Sequence, residues 1–285
     1  MDLCAIDGSN IDDAVRLLCE GFPRQSADFW ETGLDRARGC GPDRGTWPLG
    51  YLLETNGEPA GVMLTFAGRR RLDSADRRAI VNLSSLYVAP GHRALTPLML
   101  VRVLSDKTAV YTDLTAAPSL SGMLERLGFT SWSHGLALFL WPFLPRSAKR
   151  RGRVVLMDEA PPGALHEEER RLLEDHASLG CIPAVLEYDS GWMPLLFRRT
   201  TLKRIPAGHL IYAPDRRVVL QYAAAASRFL RRRGMPLLTM DAREEESAGG
   251  GFYRAGRVRW FRGDLDPNRI DYAYSELVYL NLPPY

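Results

Sequence analysis

The stretch Asn82–Leu104, NLSSLYVAPGHRALTPLMLVRVL, is predicted to form a strand, a tight turn and a helix. The strand is expected over Ala79–Val88, because this run is apolar enough to be buried. Pro90-Gly91 ends it, and Thr96-Pro97 then suits a helix start with the threonine as N-cap. Arg93 beside the free N–H groups of that helix start predicts an anion site, although an ordinary surface arginine fits the same pattern.

Hydrophobic periodicity around this stretch predicts the element order β-α-α-β-β-β-α-β-α-β over residues 1–143. Asn56-Gly57 between two apolar runs predicts a β-hairpin. A strand is expected over Ala109–Thr115, followed by a helix that Gly128-Phe129 ends and by a last strand over Thr130–Phe143. The sequence therefore favours a mixed α/β fold for this half of the chain.

Two short motifs and this order resemble the GNAT superfamily, the GCN5-related N-acetyltransferases. Val88-Ala89-Pro90-Gly91-His92-Arg93 is similar to the Val-x-Pro-x-x-Arg strand end of that family. Gly128-Phe129 matches the end of its later helix. The resemblance implies an acyl-CoA-dependent acyltransferase, N-acetyltransferase-like, that moves an acyl group to an amine or hydroxyl of a small-molecule acceptor.

The resemblance also implies where acetyl-CoA or another acyl-CoA would bind. The end of the central strand would present its backbone to the pantetheine arm and the thioester carbonyl, and the following turn and helix start would hold the pyrophosphate. The implied cofactor-binding residues are Leu86, Tyr87, Val88, Arg93, Ala94, Leu95, Thr96, Pro97 and Leu98.

A base must take the proton of the acceptor, and three side chains are candidates for a catalytic role. Ser84 and Ser85 lie along the central strand, where a hydroxyl would act by ordering water. Asp113 lies at the end of the neighbouring strand and is the second candidate.

Four positions depart from the family pattern. Thr96 stands where the family's phosphate loop has a glycine, and Leu98 stands where it has a glycine or an alanine. Glycine at these positions lets the backbone approach a phosphate closely. Leu124 stands where many members have a tyrosine that protonates the departing thiolate, and Ala117 replaces an asparagine. The alternative prediction is therefore a catalytically inactive GNAT-fold protein that binds a ligand or acts as a scaffold.

The pattern begins again after a basic, proline-bearing linker at 144–153. Ala213-Pro214-Asp215-Arg216-Arg217 repeats the Ala-Pro-x-x-Arg register of the first half, so an internal duplication is predicted. The expected domains are 1–143 and a degenerate second copy at 154–285. In that copy a helix is expected over Val218–Arg233 and a final apolar strand over Asp271–Leu282.

The composition is that of an ordinary globular protein with little net charge. The chain has 285 residues and a formal charge of +3, which argues against nucleic acid as a partner. Its four cysteines and five histidines are scattered, so no metal site is predicted. No membrane span or signal peptide is apparent, and we expect a cytoplasmic protein.

Overall fold

The computed structural model describes residues 2–41, 47–71, 77–141, 143–144, 152–189, 191–244 and 251–284. The strands are β1 (Asp2–Ala5), β2 (Gly50–Thr55), β3 (Glu58–Arg71), β4 (Arg77–Val88), β5 (Val110–Asp113), β6 (Thr130–Leu140), β7 (Arg153–Leu156), β8 (Ile182–Tyr188), β9 (Gly191–Leu202), β10 (Ile205–Tyr212), β11 (Leu237–Ala242) and β12 (Phe252–Arg262). The helices are α1 (Ile11–Gly21), α2 (Ala27–Gly39), α3 (Thr96–Val103), α4 (Ser121–Arg126), α5 (Glu167–Ser178), α6 (Arg216–Gln221), α7 (Ala223–Arg232) and α8 (Glu276–Tyr279). The order predicted for the first half is confirmed from β1 to β6.

The chain divides into two compact units. Unit 1 comprises Met1–Ser131, Arg259–Asp264 and Tyr274–Leu282, and unit 2 comprises Trp132–Val258, Leu265–Ala273 and Pro283–Tyr285. Two late segments of the chain therefore belong to unit 1. The predicted domain limits remain a prediction, since most of the linker at 144–153 lies outside the described residues.

Unit 1 contains a mixed sheet in the order β1-β2-β3-β4-β5-β12, to which β12 contributes Arg259–Arg262. Strands β4 and β5 are parallel, and the other pairs are antiparallel. The β2–β3 hairpin is confirmed: its turn residues Asn56 and Gly57 both have positive φ, at 56° and 83°, which matches the twist of a tight hairpin. The buried core residues of unit 1 include Leu17 and Leu18 of α1 and Leu34 of α2.

Unit 2 repeats this arrangement. Its sheet order is β6-β11-β10-β9-β8-β7, with β10 and β11 parallel and the other pairs antiparallel. The first turn of helix α7, Ala223–Ala226, is buried on all sides and packs into the core of this unit. The helix expected over Val218–Arg233 is two helices, α6 and α7, because Tyr222 between them leaves helical geometry.

The strand predicted over Asp271–Leu282 is wrong. Tyr274 has φ +55°, a left-handed conformation that interrupts a strand, and the short helix α8 follows it. All four residues of α8 are buried, so the apolar run reflects burial on every side rather than the alternation of a sheet. Within the described ranges, no helix has the length and hydropathy that a bilayer crossing requires.

Candidate active site

A cavity of about 220 Å³ lies in unit 1 beside the C-terminal half of β4. Its wall is mostly apolar, and one side is aromatic, formed by Phe22, Phe29 and Trp30. The rings of Phe29 and Trp30 meet edge to face with centroids 4.9 Å apart. The polar side chains on the wall are Gln25, Ser84, Ser85, Asp113, Thr115 and Glu276. An apolar cavity with a few convergent polar groups is the usual form of a small-molecule site.

The cavity lies where β4 departs from regular pairing with both neighbouring strands. The parallel pairing with β5 ends at Leu83 and Asp113, although β4 continues beyond that point. The antiparallel register with β3 shifts in the same part of β4, which marks a β-bulge. Ser85 lies in this bulge with φ +52°. The irregular backbone brings the hydroxyls of Ser84 and Ser85 within 3.0 Å of each other, whereas successive side chains of a regular strand point to opposite faces.

Glu276, the first residue of α8, is the most enclosed ionisable group on this wall. Its side chain is fully buried, with 0% relative exposure. The Ser84 hydroxyl donates to Oε2 at 2.5 Å, and the Thr115 hydroxyl donates to Oε1 at 2.8 Å. The backbone N–H of Glu276 donates to the Asn82 side-chain oxygen at 2.8 Å. Residues of β4 and of the segment after β5 therefore fix both ends of this glutamate.

The environment of Glu276 favours its neutral form. Burial raises its pKa from 4.5 to about 7, and the nearby negative charge of Asp113 contributes in the same direction. The hydrogen bonds from Ser84 and Thr115 and the positive charge of Arg259 act against this rise. A carboxyl group with a pKa near 7 exchanges a proton readily at neutral pH, which is the property of a general base or acid.

Arg259 supplies a buried positive charge to this part of unit 1. Its relative exposure is 1%, and its guanidinium donates to the carbonyl oxygen of Leu114. The pairing of Trp260 with Asp113 places Arg259 directly beside the end of β5. Its positive charge favours the carboxylate form of Glu276.

The structure brings the three predicted catalytic residues together. Ser84, Ser85 and Asp113 all line the cavity, as does Leu86 of the predicted cofactor set. Their roles stay predictions. The other members of the cofactor set lie outside the cavity wall: Tyr87 and Val88 complete β4, and Arg93, Ala94, Leu95, Thr96, Pro97 and Leu98 form the following turn and helix start. Of these, Arg93, Ala94, Pro97 and Leu98 are exposed.

The helix start differs from its prediction in one respect. Thr96 is the first residue of α3 rather than its N-cap, because the 3₁₀ turn Pro90–Leu95 leads directly into the helix. The N–H of Thr96 donates to the carbonyl oxygen of Arg93, so this amide already has a partner within the chain. The Arg93 side chain remains accessible to an anion at this turn.

Two positions that depart from the family pattern lie on the cavity wall. Leu124, at the family's tyrosine position, is buried with 1% exposure, and Ala117 lines the same cavity. No tyrosine, histidine or cysteine is among the described residues of the wall. A side-chain acid of the tyrosine type is therefore absent from this wall.

Glu276 is missing from the candidates named from sequence. It lies 192 residues along the chain from Ser84, and no local pattern connects the two. The one available signal is that a single acidic residue interrupts the apolar run 272–280 directly after Ser275. Such an isolated carboxylate is expected to be buried with a partner.

The matching place in unit 2 is filled by the chain itself. The register of β10 with β9 shifts between Leu210 and Tyr212, as that of β4 with β3 does, which supports the predicted duplication. There the backbone N–H of Tyr272 donates to the carbonyl oxygen of Ile211 at 2.8 Å, and its hydroxyl donates to the buried Asp241. The remaining cavity is about 20 Å³, roughly the space of one water molecule.

The arginine of the repeated motif in unit 2 is already paired with acidic groups. Arg217 Nη2 lies 2.8 Å from Asp215 and 3.2 Å from Asp266. Arg93 has no ion pair of this kind among the described residues. The two motif arginines therefore differ in their availability to an outside anion.

A larger cavity of about 590 Å³ also belongs to unit 1 and is lined by parts of β1, α2 and β3. Its wall includes Gly41 and Trp47, which flank residues 42–46 outside the described part of the chain. None of the hydrogen-bonded groups around Glu276 reaches it. We therefore place the candidate active site in the smaller cavity. In the described ranges no three His, Cys, Asp or Glu side chains come together as a metal site.

Comparison with known proteins identifies the fold but no sequence relative. No protein-family model matches the chain, and no curated protein matches its sequence. A GCN5-related N-acetyltransferase structure from Anabaena variabilis is similar with a TM-score of 0.55 and 10% identity over 92% of this chain and 72% of that one. A probable N-acyltransferase from Enterococcus faecalis is similar with a TM-score of 0.53 and 9% identity over the same shares. The predicted fold class is confirmed: the chain has the mixed α/β fold of the GCN5-related N-acetyltransferases.

Proposed function

We propose that this chain is an acyl-CoA-dependent N-acyltransferase that moves a small acyl group from CoA to a primary amine of a small acceptor. The reaction takes place in the unit 1 cavity. The observation that carries this proposal is the buried Glu276, held by Ser84 and Thr115 at the point where β4 and β5 separate. A proton acceptor is thus present beside backbone that is free to bind a thioester.

The acyl-CoA would lie along the end of β4. Beyond Leu83 the strand no longer pairs with β5, so backbone groups near Ser85 and Leu86 are available to the pantetheine arm and the thioester carbonyl. The exposed Arg93 follows at the turn and suits the pyrophosphate. In unit 2 the corresponding space is occupied by Tyr272, and Arg217 is paired with acidic side chains. We therefore expect one acyl-CoA per chain, held by the N-terminal copy.

The cavity fits an acceptor amine with a small apolar body. Its volume of about 220 Å³ exceeds the roughly 150 Å³ of an apolar cavity that holds one benzene molecule. An acetyl group and one ring can share that space. Phe22, Phe29 and Trp30 would pack on the apolar body, and the carboxylate of Asp113 would attract the ammonium group.

Glu276 is the proton acceptor of the proposed reaction. The ammonium group passes one proton to the carboxylate, the freed nitrogen lone pair forms a bond to the thioester carbon, and the carbon–sulfur bond breaks. The second proton that the nitrogen loses as it becomes an amide passes to the departing thiolate. Leu124 cannot protonate the departing sulfur. A thiol has a pKa of about 8.5, so it can leave as the thiolate near neutral pH without a side-chain acid.

The second candidate function is a GNAT-fold protein that binds acyl-CoA without transferring the acyl group. The side chains of Leu124 and Ala117 favour it, because both occupy positions that carry polar groups in many family members. It shares the cofactor site with the first proposal. Turnover in the presence of an amine separates the two.

Calorimetric titration with acetyl-CoA tests the cofactor site. We expect one molecule to bind per chain and Arg93→Ala to weaken binding by about tenfold, or about 1.4 kcal/mol. Arg217→Ala is the matched control in the repeated motif, and it should leave the affinity unchanged. Release of the CoA thiol is then followed with phenethylamine, whose body is one ring, and with 1,4-diaminobutane, whose second ammonium would lie against the apolar wall.

The outcomes distinguish the candidates. Binding with amine-dependent thiol release supports the transferase, and binding without release from any small amine supports the inactive protein. Absence of binding by acetyl-CoA and by longer acyl-CoAs would refute both.

A further inference from the structure

Two hydroxyl oxygens connect the cavity to the buried carboxyl group of Glu276. The hydroxyls of Ser85 and Ser84 are 3.0 Å apart, and the Ser84 hydroxyl is 2.5 Å from Glu276 Oε2. Exposure decreases along the same path, from a half-buried Ser85 to 4% for Ser84 and 0% for Glu276. The outermost group is therefore the one that a bound molecule meets first.

Glu276 contributes to the cavity wall but has no solvent-accessible surface, and both of its carboxyl oxygens already accept hydrogen bonds from the hydroxyls of Ser84 and Thr115. We propose that the acceptor's proton reaches Glu276 through the hydroxyls of Ser85 and Ser84, with Ser85 Oγ in contact with the reacting nitrogen. This inference rests on the proposed function and adds the path that the proton takes. Ser85 is then the catalytic residue, and Ser84 positions and connects it to Glu276.

The hydrogen-bond directions suit such a relay. Ionised Glu276 can only accept, so the Ser84 hydroxyl donates to it. The lone pairs of Ser84 then face Ser85, which can donate its own hydrogen to them. The lone pairs of Ser85 are left for the N–H of the acceptor. Each hydroxyl gives one proton and receives one, so neither serine has to become an alkoxide.

The proton and electron balance closes. The ammonium proton passes to Ser85, the Ser85 proton to Ser84, and the Ser84 proton to Glu276 Oε2. The nitrogen lone pair freed in this way forms the amide bond, and the electrons of the carbon–sulfur bond leave on the CoA sulfur. The bonded nitrogen still carries one proton more than an amide, and this second proton passes to the departing sulfur, which gives the thiol. Glu276 then releases its own proton to water, so the carboxylate is restored and one proton is released for each ammonium group that is acylated.

The β-bulge explains why two successive serines can form this path. Ser85 has φ +52°, an uncommon conformation for a residue other than glycine, asparagine or aspartate. It turns the Ser85 side chain toward that of Ser84. Replacement by glycine suits this backbone and removes the hydroxyl, so it separates the chemical role of the side chain from its effect on the fold.

Several charged and polar groups set the pH range of the relay. Glu276 is surrounded by Asp113 of β5, Thr115 after it, Arg259 of β12, and Asn82 and Ser84 of β4. Asp113 favours the protonated form, whereas Arg259, Ser84 and Thr115 favour the carboxylate. Loss of Ser84 should therefore move the apparent pKa of the rate upward, and loss of Ser85 should leave it in place.

The test measures kcat for phenethylamine against pH in Ser85→Ala, Ser85→Gly and Ser84→Ala. We expect kcat to fall by about 100-fold in each, with little change in the KM of acetyl-CoA, because proton transfer contributes at least that much. The double variant should be no slower than the single ones, because the serines act in one chain. Ser119→Ala, at an exposed hydroxyl of unit 1, is the control and should retain the wild-type rate.

Two results would overturn the relay while leaving the function intact. One is that both Ser85 variants keep kcat within about threefold of wild type while Glu276→Gln is inactive, since direct contact with the carboxylate then suffices. The other is that Ser84→Ala leaves the apparent pKa unchanged. A wild-type protein that binds acetyl-CoA and acylates no amine refutes the transferase and the relay together.

Discussion

Replacement of Glu276 by glutamine should remove a defined pH dependence from the stability of the protein. The wild-type carboxyl has a pKa of about 7 in the folded state, against 4.5 as its ordinary value. This difference corresponds to about 3 kcal/mol between the two protonation states. Since the folded state binds the proton more tightly than the unfolded state, folding is favoured most below pH 4.5, and that advantage is lost as the pH rises to about 7. Glutamine has the same shape and does not titrate.

Urea unfolding of both proteins across this range is the assay. The free energy of unfolding of wild type minus that of Glu276→Gln should decrease by about 3 kcal/mol between about pH 4 and about pH 8. Subtraction cancels the titration of all groups that the two proteins share. Glu125→Gln, the same change at an exposed position of α4, is the control for the substitution itself. A difference that stays constant with pH would refute the raised pKa and, with it, the role of Glu276 as a proton acceptor near neutral pH.

Two further changes test the acceptor wall and unit 2. Phe29→Ala should raise the KM of phenethylamine about tenfold without changing that of acetyl-CoA, because the cavity wall loses a ring that would pack on the ring of the amine, worth about 1.4 kcal/mol. An amine KM equal to that of wild type would contradict the aromatic wall. Asp241→Asn should lower the free energy of unfolding by about 2 kcal/mol, because one of the two buried oxygens that accept hydrogen bonds from Tyr272 and Ser133 is replaced by an NH₂ group that cannot accept. Its affinity for acetyl-CoA, by calorimetry, should equal that of wild type, and a loss of affinity would show that unit 2 takes part in binding.

Local sequence signals account for much of the unit 1 framework. The Asn56-Gly57 turn, the apolar run of β4 and the break at Pro90-Gly91 each depend on residues close together in the chain, and each is found as predicted. The order of elements follows from such signals alone. Local signals were insufficient at Thr96: it was predicted to be the N-cap of α3, but a 3₁₀ turn precedes it and it is the first residue of the helix.

Local sequence signals do not predict the bulge at Ser85 or the hydrogen bonds of Glu276. The bulge at Ser85 could not be predicted from a glycine, because the residue that adopts the left-handed conformation here is a serine held by its tertiary contacts. The end of the chain was expected to be a strand, since an apolar run of this length fits a strand or a buried helix equally well. Only the fold reveals that Glu276 meets Ser84 and Thr115.

Residues from both halves of the chain therefore form the candidate active site. Asn82 and Ser84 lie on β4 and Thr115 follows β5, all in the half of the chain that carries the family motifs, but the carboxyl group that they hold lies on α8, near residue 276. Arg259, which offsets the negative charge there, also comes from a late strand. Without these two late segments the hydroxyls would have no acceptor to donate to, so the second half of the chain contributes to the proposed chemistry even though its own cofactor space is filled.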